Sequence, residues 1–314
     1  MKGFRIGHGQ DRAAATGVTV VLCEEGASAG VDVRGGAPAT RETDLLAPVN
    51  LVKKIHAVFL AGGSAFGLDA ASGIMTYLEE RGVGFDVAVT TVPIVCGAAL
   101  FDLTVGDGRV RPDRFMGYQA CLDAVEEEPA RGSVGAGTGA SVGKFLGMER
   151  AMKSGIGWSL QKEGELEVAA LVAVNCLGDV FDPERGCLVA GLRDGQGRQG
   201  DTEREMIAAW REKRDLFGGN TTLGVVLTNG AFTKAQMGKL ASMAHDGYGR
   251  TLRPAHSMVD GDTIFALSRP VVEADLSVVG ILAVRAVERA VVDAVVQASS
   301  LAGLPAPRDL AGRI

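Results

Sequence analysis

The sequence predicts a single mixed α+β domain, and three observations carry this expectation. Strand-like runs of β-branched and apolar residues recur between glycine-rich turns. Helical runs with apolar residues three and four apart are interspersed with them, without a regular strand–helix–strand period. No linker and no internal repeat divides the 314 residues.

The elements follow in chain order. Gly17 to Leu22 is a β-branched apolar strand, and Ala57 to Leu60 is a second that runs into the turn Ala61-Gly62-Gly63-Ser64. The spacing of Leu68, Ala71, Met75 and Leu78 predicts a helix, with Gly82 at the position of a C′ glycine. After the glycine-dense stretch Gly132 to Gly147 come strands at Ser154 to Leu160 and Leu166 to Val174, the latter ending at Asn175. Asp201 to Leu216 has a helical composition and leads into a flexible loop, Phe217-Gly218-Gly219-Asn220, then a strand at Thr221 to Leu227. Thr233 caps a helix bearing Met237, Leu240, Ala241 and Ala244, which Gly247 ends. Asp260-Gly261-Asp262 forms a turn into the strand Thr263 to Leu267. Leu276 to Val284 reads as a strand, followed by a helix with Val287, Val291, Ala294, Val295 and Ala298 on one stripe.

Composition removes several classes. Hydrophobic residues make up 46% of the chain, enough to bury a core and exclude general disorder. The net charge of −6 argues against nucleic-acid binding, which needs a basic face. The N-terminal residues lack a secretory apolar region, and no apolar run approaches the roughly 20 residues of a membrane span. Five cysteines (Cys23, Cys96, Cys121, Cys176, Cys187) are widely spaced and without a CxxC pair. They read as buried thiols of a cytoplasmic protein. The histidines His8, His56, His245 and His256 show no metal-ligand spacing, so neither a metal nor a cofactor is expected.

Two motif matches fail on inspection. Gly137 to Lys144 suggests a phosphate loop, but Thr138 stands at the first glycine position and Phe145 replaces the hydroxyl after the lysine. A glycine-rich loop carrying one lysine into a cleft fits better. Ser64 lacks the glycine of a nucleophile elbow, since Phe66 stands there. It reads as a turn residue or helix cap.

Gly218-Gly219-Asn220-Thr221-Thr222 is different in kind. A hydroxyl after Asn at a loop-to-strand boundary can attack the preceding carbonyl. Hydrolysis of the resulting ester makes Thr221 an N-terminus, whose amine (pKa roughly 7.7 to 8.0) is a base on the same residue as the hydroxyl. Taken alone, the dipeptide also reads as a loop entering a strand.

Several stretches together resemble the DmpA family of N-terminal-nucleophile aminopeptidases, peptidase family S58. They are Thr16 to Val21, Arg34 to Leu46, Leu60 to Leu68, the loop with Lys144, Val172 to Asn175, Asn220 to Thr222, Ala244 to Gly247 and Asp260 to Asp262, in that order. The resemblance implies an αββα sandwich of the DmpA / ornithine acetyltransferase type. It implies a single domain, 1–314, that cleaves itself into an α chain of residues 1–220 and a β chain of residues 221–314. It implies a homo-oligomer, a tetramer of αβ units. Thr221 would be the nucleophile, Asn175 the oxyanion donor, Lys144 a positioning or activating lysine, and Asp260 and Asp262 the acidic pair. These residues match the nylon-oligomer hydrolases, although Asn175, Lys144 and the Asp pair each read as turn or loop chemistry in isolation.

The expected activity is hydrolysis of amide or peptide bonds in a small substrate through an acyl-enzyme on Thr221. The alternatives are an ω-amino-acid oligomer or cyclic amide hydrolase, an acyltransferase, and a non-catalytic binding protein on the same fold. The tyrosine and glutamate with which some members read a free amine are not found in Cys96 to Asp102. A weak preference for free-amine substrates is therefore expected.

Overall fold

The computed structural model describes residues 1–211 and 219–310. Strands β1 (Arg5–Asp11), β2 (Thr16–Val33), β3 (Thr40–Arg41) and β4 (Ile55–Ala61) precede helix α1 (Ala70–Glu79). Next come β5 (Phe85–Asp86), β6 (Thr91–Val92), β7 (Val95–Ala99) and α2 (Arg114–Leu122). The middle of the chain holds β8 (Ser141–Val142), β9 (Met152–Lys153), β10 (Ile156–Glu163), β11 (Leu166–Ala173), β12 (Asp179–Asp182), β13 (Cys187–Ala190) and α3 (Thr202–Arg211). The last third holds β14 (Leu223–Gly230), α4 (Lys234–Thr251), β15 (Leu252–Arg253), β16 (Thr263–Val272) and α5 (Leu276–Val296).

The long strand β2 belongs to two layers. Its first half, Thr16 to Leu22, pairs with β1 and β4, and its second half, Ser28 to Val33, pairs with β16; an irregularity between Leu22 and Ala27 separates them. One layer is thus β1, β2, β4, β7 and β3. The other runs β2, β16, β14, β11, β10. Side chains alternate between faces, and both faces are buried. In β11, Ala169, Leu171 and Ala173 join Val58, Leu60, Leu223 and Phe265 between the sheets. Val168, Ala170 and Val172 turn the other way, against α4 and α5. Val18, Val20, Ala57 and Phe59 face α1 and α2. Helix, sheet, sheet, helix is the αββα order expected.

Most elements fall where the sequence places them. Gly82 (φ +66°) closes α1 in a Schellman motif, with Val83 N–H on Leu78 O and Gly82 N–H on Glu79 O. Thr233 and Gln236 form a capping box at the start of α4. Ser64 (φ +55°) opens a short 3₁₀ turn after Gly63.

Four expectations are corrected. Leu276 to Val284 is the first part of α5. The Asp275 carboxylate accepts the N–H groups of Ser277 and Val278, and Val279, Leu282, Ala283 and Ala286 are buried at helical spacing. Valine is less favourable in a helix by at most roughly 0.7 kcal/mol, less than the cap and this burial contribute. Gly247 does not end α4, which continues to Thr251. A Cβ there would lie 2.6 Å from Val287 Cγ1, so the glycine marks the crossing with α5. Cys187 is exposed, whereas the other four cysteines are buried, and all five are free thiols. The turn expected at 260–262 lies at Met258 and Val259, and Asp260 already pairs as a bridge with Asn220. Glu212 to Gly218 of the expected helix and loop lie outside the described residues.

Candidate active site

Two neighbouring strands of the inner sheet bring the site together. β14 and β16 are parallel, with Leu223 opposite Thr263. Their N-terminal approaches therefore run side by side, placing Asn220-Thr221-Thr222 against Asp260-Gly261-Asp262. Asn220 N–H donates to Val259 O (3.2 Å), Gly261 N–H to Asn220 O (2.9 Å), and Thr263 N–H to Thr222 O (3.1 Å). The Thr221 hydroxyl donates to Asn220 O, the carbonyl of its own preceding peptide bond. Gly261 is glycine for a steric reason, since a Cβ there would lie 2.6 Å from Thr221 Oγ1. Asn220 and Thr221 are buried, so the junction is held rather than loose.

The third approach is the end of β11. Its last residues lead into Asn175, whose carbonyl accepts Thr221 N–H at 3.1 Å. The orientation of the Asn175 amide follows from its donors. Oδ1 accepts Ser141 N–H (3.0 Å) and the Lys144 ammonium (2.9 Å), which leaves Nδ2 as the donor end. One Nδ2 hydrogen is committed to Phe101 O at 2.9 Å. The second is the one that can stabilise a developing oxyanion. Lys144 Nζ also donates to Asn175 O at 3.0 Å, so the lysine and the Thr221 N–H share one carbonyl. Burial pushes the Lys144 ammonium down to about 8, against weaker support from the Asp260 and Asp102 carboxylates. A lysine in that range can exchange a proton near neutral pH.

The two carboxylates hold the residues around Thr221. Asp262 Oδ1 accepts Thr222 N–H at 2.9 Å, and Asp260 Oδ1 accepts Leu177 N–H at 3.4 Å. Burial, then the Asp262 charge, pushes the Asp260 carboxyl up to about 6. Their other oxygens face His256, noted from sequence only as a histidine without metal-ligand spacing, and Ser257, which the sequence reading passed over. The available signal was distance along the chain, since both lie within six residues of Asp262.

Other polar groups nearby have settled partners. Lys153, also missed from sequence, is fully buried, and its ammonium donates to the carbonyls of Gly137, Ala140 and Ser154 (2.9, 2.9 and 2.6 Å). It thereby clamps the glycine-rich loop that presents Ser141 N–H. Asp102 accepts Gly63 N–H (2.6 Å) and the Thr16 hydroxyl (2.8 Å). Burial raises the Cys176 thiol well above its usual range, which keeps it protonated and unsuited as a nucleophile. Among the described residues no group of three or more His, Cys, Asp or Glu is placed to hold a metal. No helix among them is long and apolar enough to cross a membrane.

The sequence model of Peptidase family S58 matches residues 1–307. The chain belongs to that family. Membership makes this S58 protein a hydrolase acting on amide bonds. It is 41% identical over 339 residues to an uncharacterized aminopeptidase of Mycobacterium tuberculosis, covering 98% of this chain and 96% of the relative. It is 30% identical over 269 residues to a 6-aminohexanoate-oligomer endohydrolase of Kocuria sp., covering 85% of this chain and 73% of the relative. Among solved structures, the L-aminopeptidase D-Ala-esterase/amidase from Ochrobactrum anthropi superposes with a TM-score of 0.72. It is 19% identical and covers 97% of this chain and 87% of that one. That structure is described as a variant of the N-terminal-nucleophile hydrolase fold, and the S58 chain shares its architecture.

Proposed function

We propose that this S58 hydrolase cleaves itself between Asn220 and Thr221 and then uses Thr221 as the nucleophile on small amide substrates. One observation carries the reading: the Thr221 hydroxyl and the Gly261 N–H converge on the Asn220 carbonyl oxygen. Thr221 Oγ attacks the Asn220 carbonyl carbon, and the oxyanion forms where Gly261 N–H already points. The C–N bond then breaks, and its electron pair stays on the Thr221 nitrogen, which takes up the hydroxyl proton. Water hydrolyses the ester, leaving an Asn220 carboxylate and a free Thr221 amine and hydroxyl. In turnover the substrate acyl group takes the place of Asn220, with the second Nδ2 hydrogen of Asn175 as a donor and Lys144 and the Thr221 amine as bases.

The Kocuria relative favours a second reading, in which the substrate is an ω-amino-acid oligomer cut internally. The chemistry on Thr221 is the same. We further propose a cytoplasmic, oligomeric enzyme. Five unpaired thiols support the compartment, and the exposed apolar residues Val49, Leu51 and Val89 support association.

Mass measurement of the denatured protein tests the processing step. Two chains are expected, the smaller beginning Thr-Thr-Leu-Gly, with one chain from Thr221→Ala and two from Thr221→Ser. A wild-type chain that stays intact after long incubation overturns the reading.

A further inference from the structure

His256 and Ser257 are consecutive, and each offers a backbone and a side-chain donor to one buried carboxylate. His256 donates its backbone N–H to Asp262 Oδ2 (2.9 Å), and its ring Nδ1 lies 2.9 Å from the same oxygen. Ser257 donates its backbone N–H (3.2 Å) and its hydroxyl to Asp260 Oδ2. This requires a backbone that turns two successive N–H groups toward the acids. His256 adopts φ +58°, the left-handed region in which a non-glycine residue is strained. Strain of this kind persists where the surroundings enforce it. Here the His256 ring packs edge-to-face on His245 at 4.8 Å, and His245 is itself fixed by Asp32 O at 3.0 Å.

We propose that His256 and Ser257 form a two-residue cradle that holds the Asp262 and Asp260 carboxylates in place against the 220–222 segment, making both positioning residues for Thr221. The proposal rests on Thr221 as the nucleophile. The opposite oxygens of the two acids reach Thr222 N–H and Leu177 N–H, so the cradle acts on the residues flanking Thr221 and Asn175. The ionisable groups around it are Lys144 and Cys176 beside Asp260, His245 and Tyr248 of α4 beside the ring, and Asp32 and Arg34 beyond His245. Burial lowers His245 to about 4, so near neutral pH it brings no charge against the ring. Donors that favour the charged form hold carboxylates ionised; removing one lets the pair take up a proton at higher pH.

The test uses His256→Gly, His256→Asn and Ser257→Ala. Glycine keeps the φ and the backbone N–H but removes the ring. Asparagine tolerates the φ and places Nδ2 near the position of ring Nδ1. Cleavage is followed by denaturing mass, and kcat and KM on an amino-acid p-nitroanilide are followed against pH, normalised to cleaved protein. We expect His256→Gly to lose roughly 10-fold in kcat, the scale of one hydrogen bond to a charged group, with KM near wild type. Its acid limb should move to higher pH, as should that of Ser257→Ala, and His256→Asn should recover most of both changes. Wild-type limbs in both His256→Gly and Ser257→Ala overturn the cradle. If His256→Gly fails to fold, Ser257→Ala decides: a shifted limb supports the cradle and a wild-type limb overturns it. A wild-type protein that is neither cleaved nor active fails on the nucleophile reading itself, and the cradle falls with it.

Discussion

The backbone N–H of Gly261 donates to the carbonyl oxygen of Asn220 at 2.9 Å, on the peptide bond that precedes Thr221. The donor is held by the parallel register of β14 and β16 rather than by a mobile side chain. Gly261→Ala should therefore slow self-cleavage, because its Cβ would meet Thr221 Oγ1 at 2.6 Å and Ala37 O at 2.8 Å. The slowing should be roughly 10-fold or more, a fraction of what losing an oxyanion donor outright produces. The cleaved fraction against time on a denaturing gel measures it. A wild-type rate would remove Gly261 from the step.

Asn175→Ala should lower kcat on an amide substrate by roughly 10²- to 10³-fold once activity is normalised to cleaved chain. The substitution also removes the acceptor shared by Ser141 N–H and Lys144. Processing should slow as well. Near-normal kcat in the cleaved variant would reassign the oxyanion donor.

Asp260→Asn should lose activity, and its stability relative to wild type should rise between about pH 4 and 6. The folded-state pKa of Asp260 is raised from 3.8 to about 6, so its contribution to stability is fully present below about 4 and is lost as pH rises through about 6. Asparagine is free of that loss and can accept from Ser257 through Oδ1, although its Nδ2 then faces the Leu177 N–H and offsets part of the gain. The difference in Tm between variant and wild type should open between pH 4 and 6 and persist above. A difference that stays constant across this range would contradict the assignment.

Free-amine substrates should enjoy little advantage over N-acylated ones. The acid in Cys96 to Asp102 is Asp102, and its oxygens are taken by Gly63 N–H and the Thr16 hydroxyl. An ammonium desolvated without a carboxylate gains little. Paired p-nitroanilides should differ by less than roughly 10²-fold in kcat/KM, about 2.7 kcal/mol. A larger preference for the free amine would place a carboxylate elsewhere in the cleft.

What was legible in the sequence follows the range of the forces involved. The faces of α1 and α4 and their ends at Gly82 and Thr233 depend on residues three or four apart, and they were readable. The first turns of α5 were not. Val278, Val279 and Val284 favour a strand locally, and the deciding packing comes from α4 and β10. The nucleophile, the amide and the acids entered through resemblance to a family, since Leu177 and Asp260 meet across 83 residues of chain. Lys153 escaped notice because a single lysine carries no spacing to recognise, and the roles of His256 and Ser257 did because nearness along the chain to Asp260 and Asp262 does not by itself show contact. Their partners are backbone carbonyls and carboxylates that only the fold assembles.

The order of strands in the inner sheet has a mechanical meaning for a chain cut after residue 220. β14 and β16 would belong to the shorter fragment, yet β11 flanks them on one side and β2 on the other, both from the longer fragment. The shorter piece is a two-strand inlay, laced on either edge by backbone hydrogen bonds and roofed by its own helices α4 and α5. Its release would require both of these ladders, and the short one between β12 and β15, to unzip. The proposed nick would thus free an amine at Thr221 while leaving the two pieces no route apart short of unfolding.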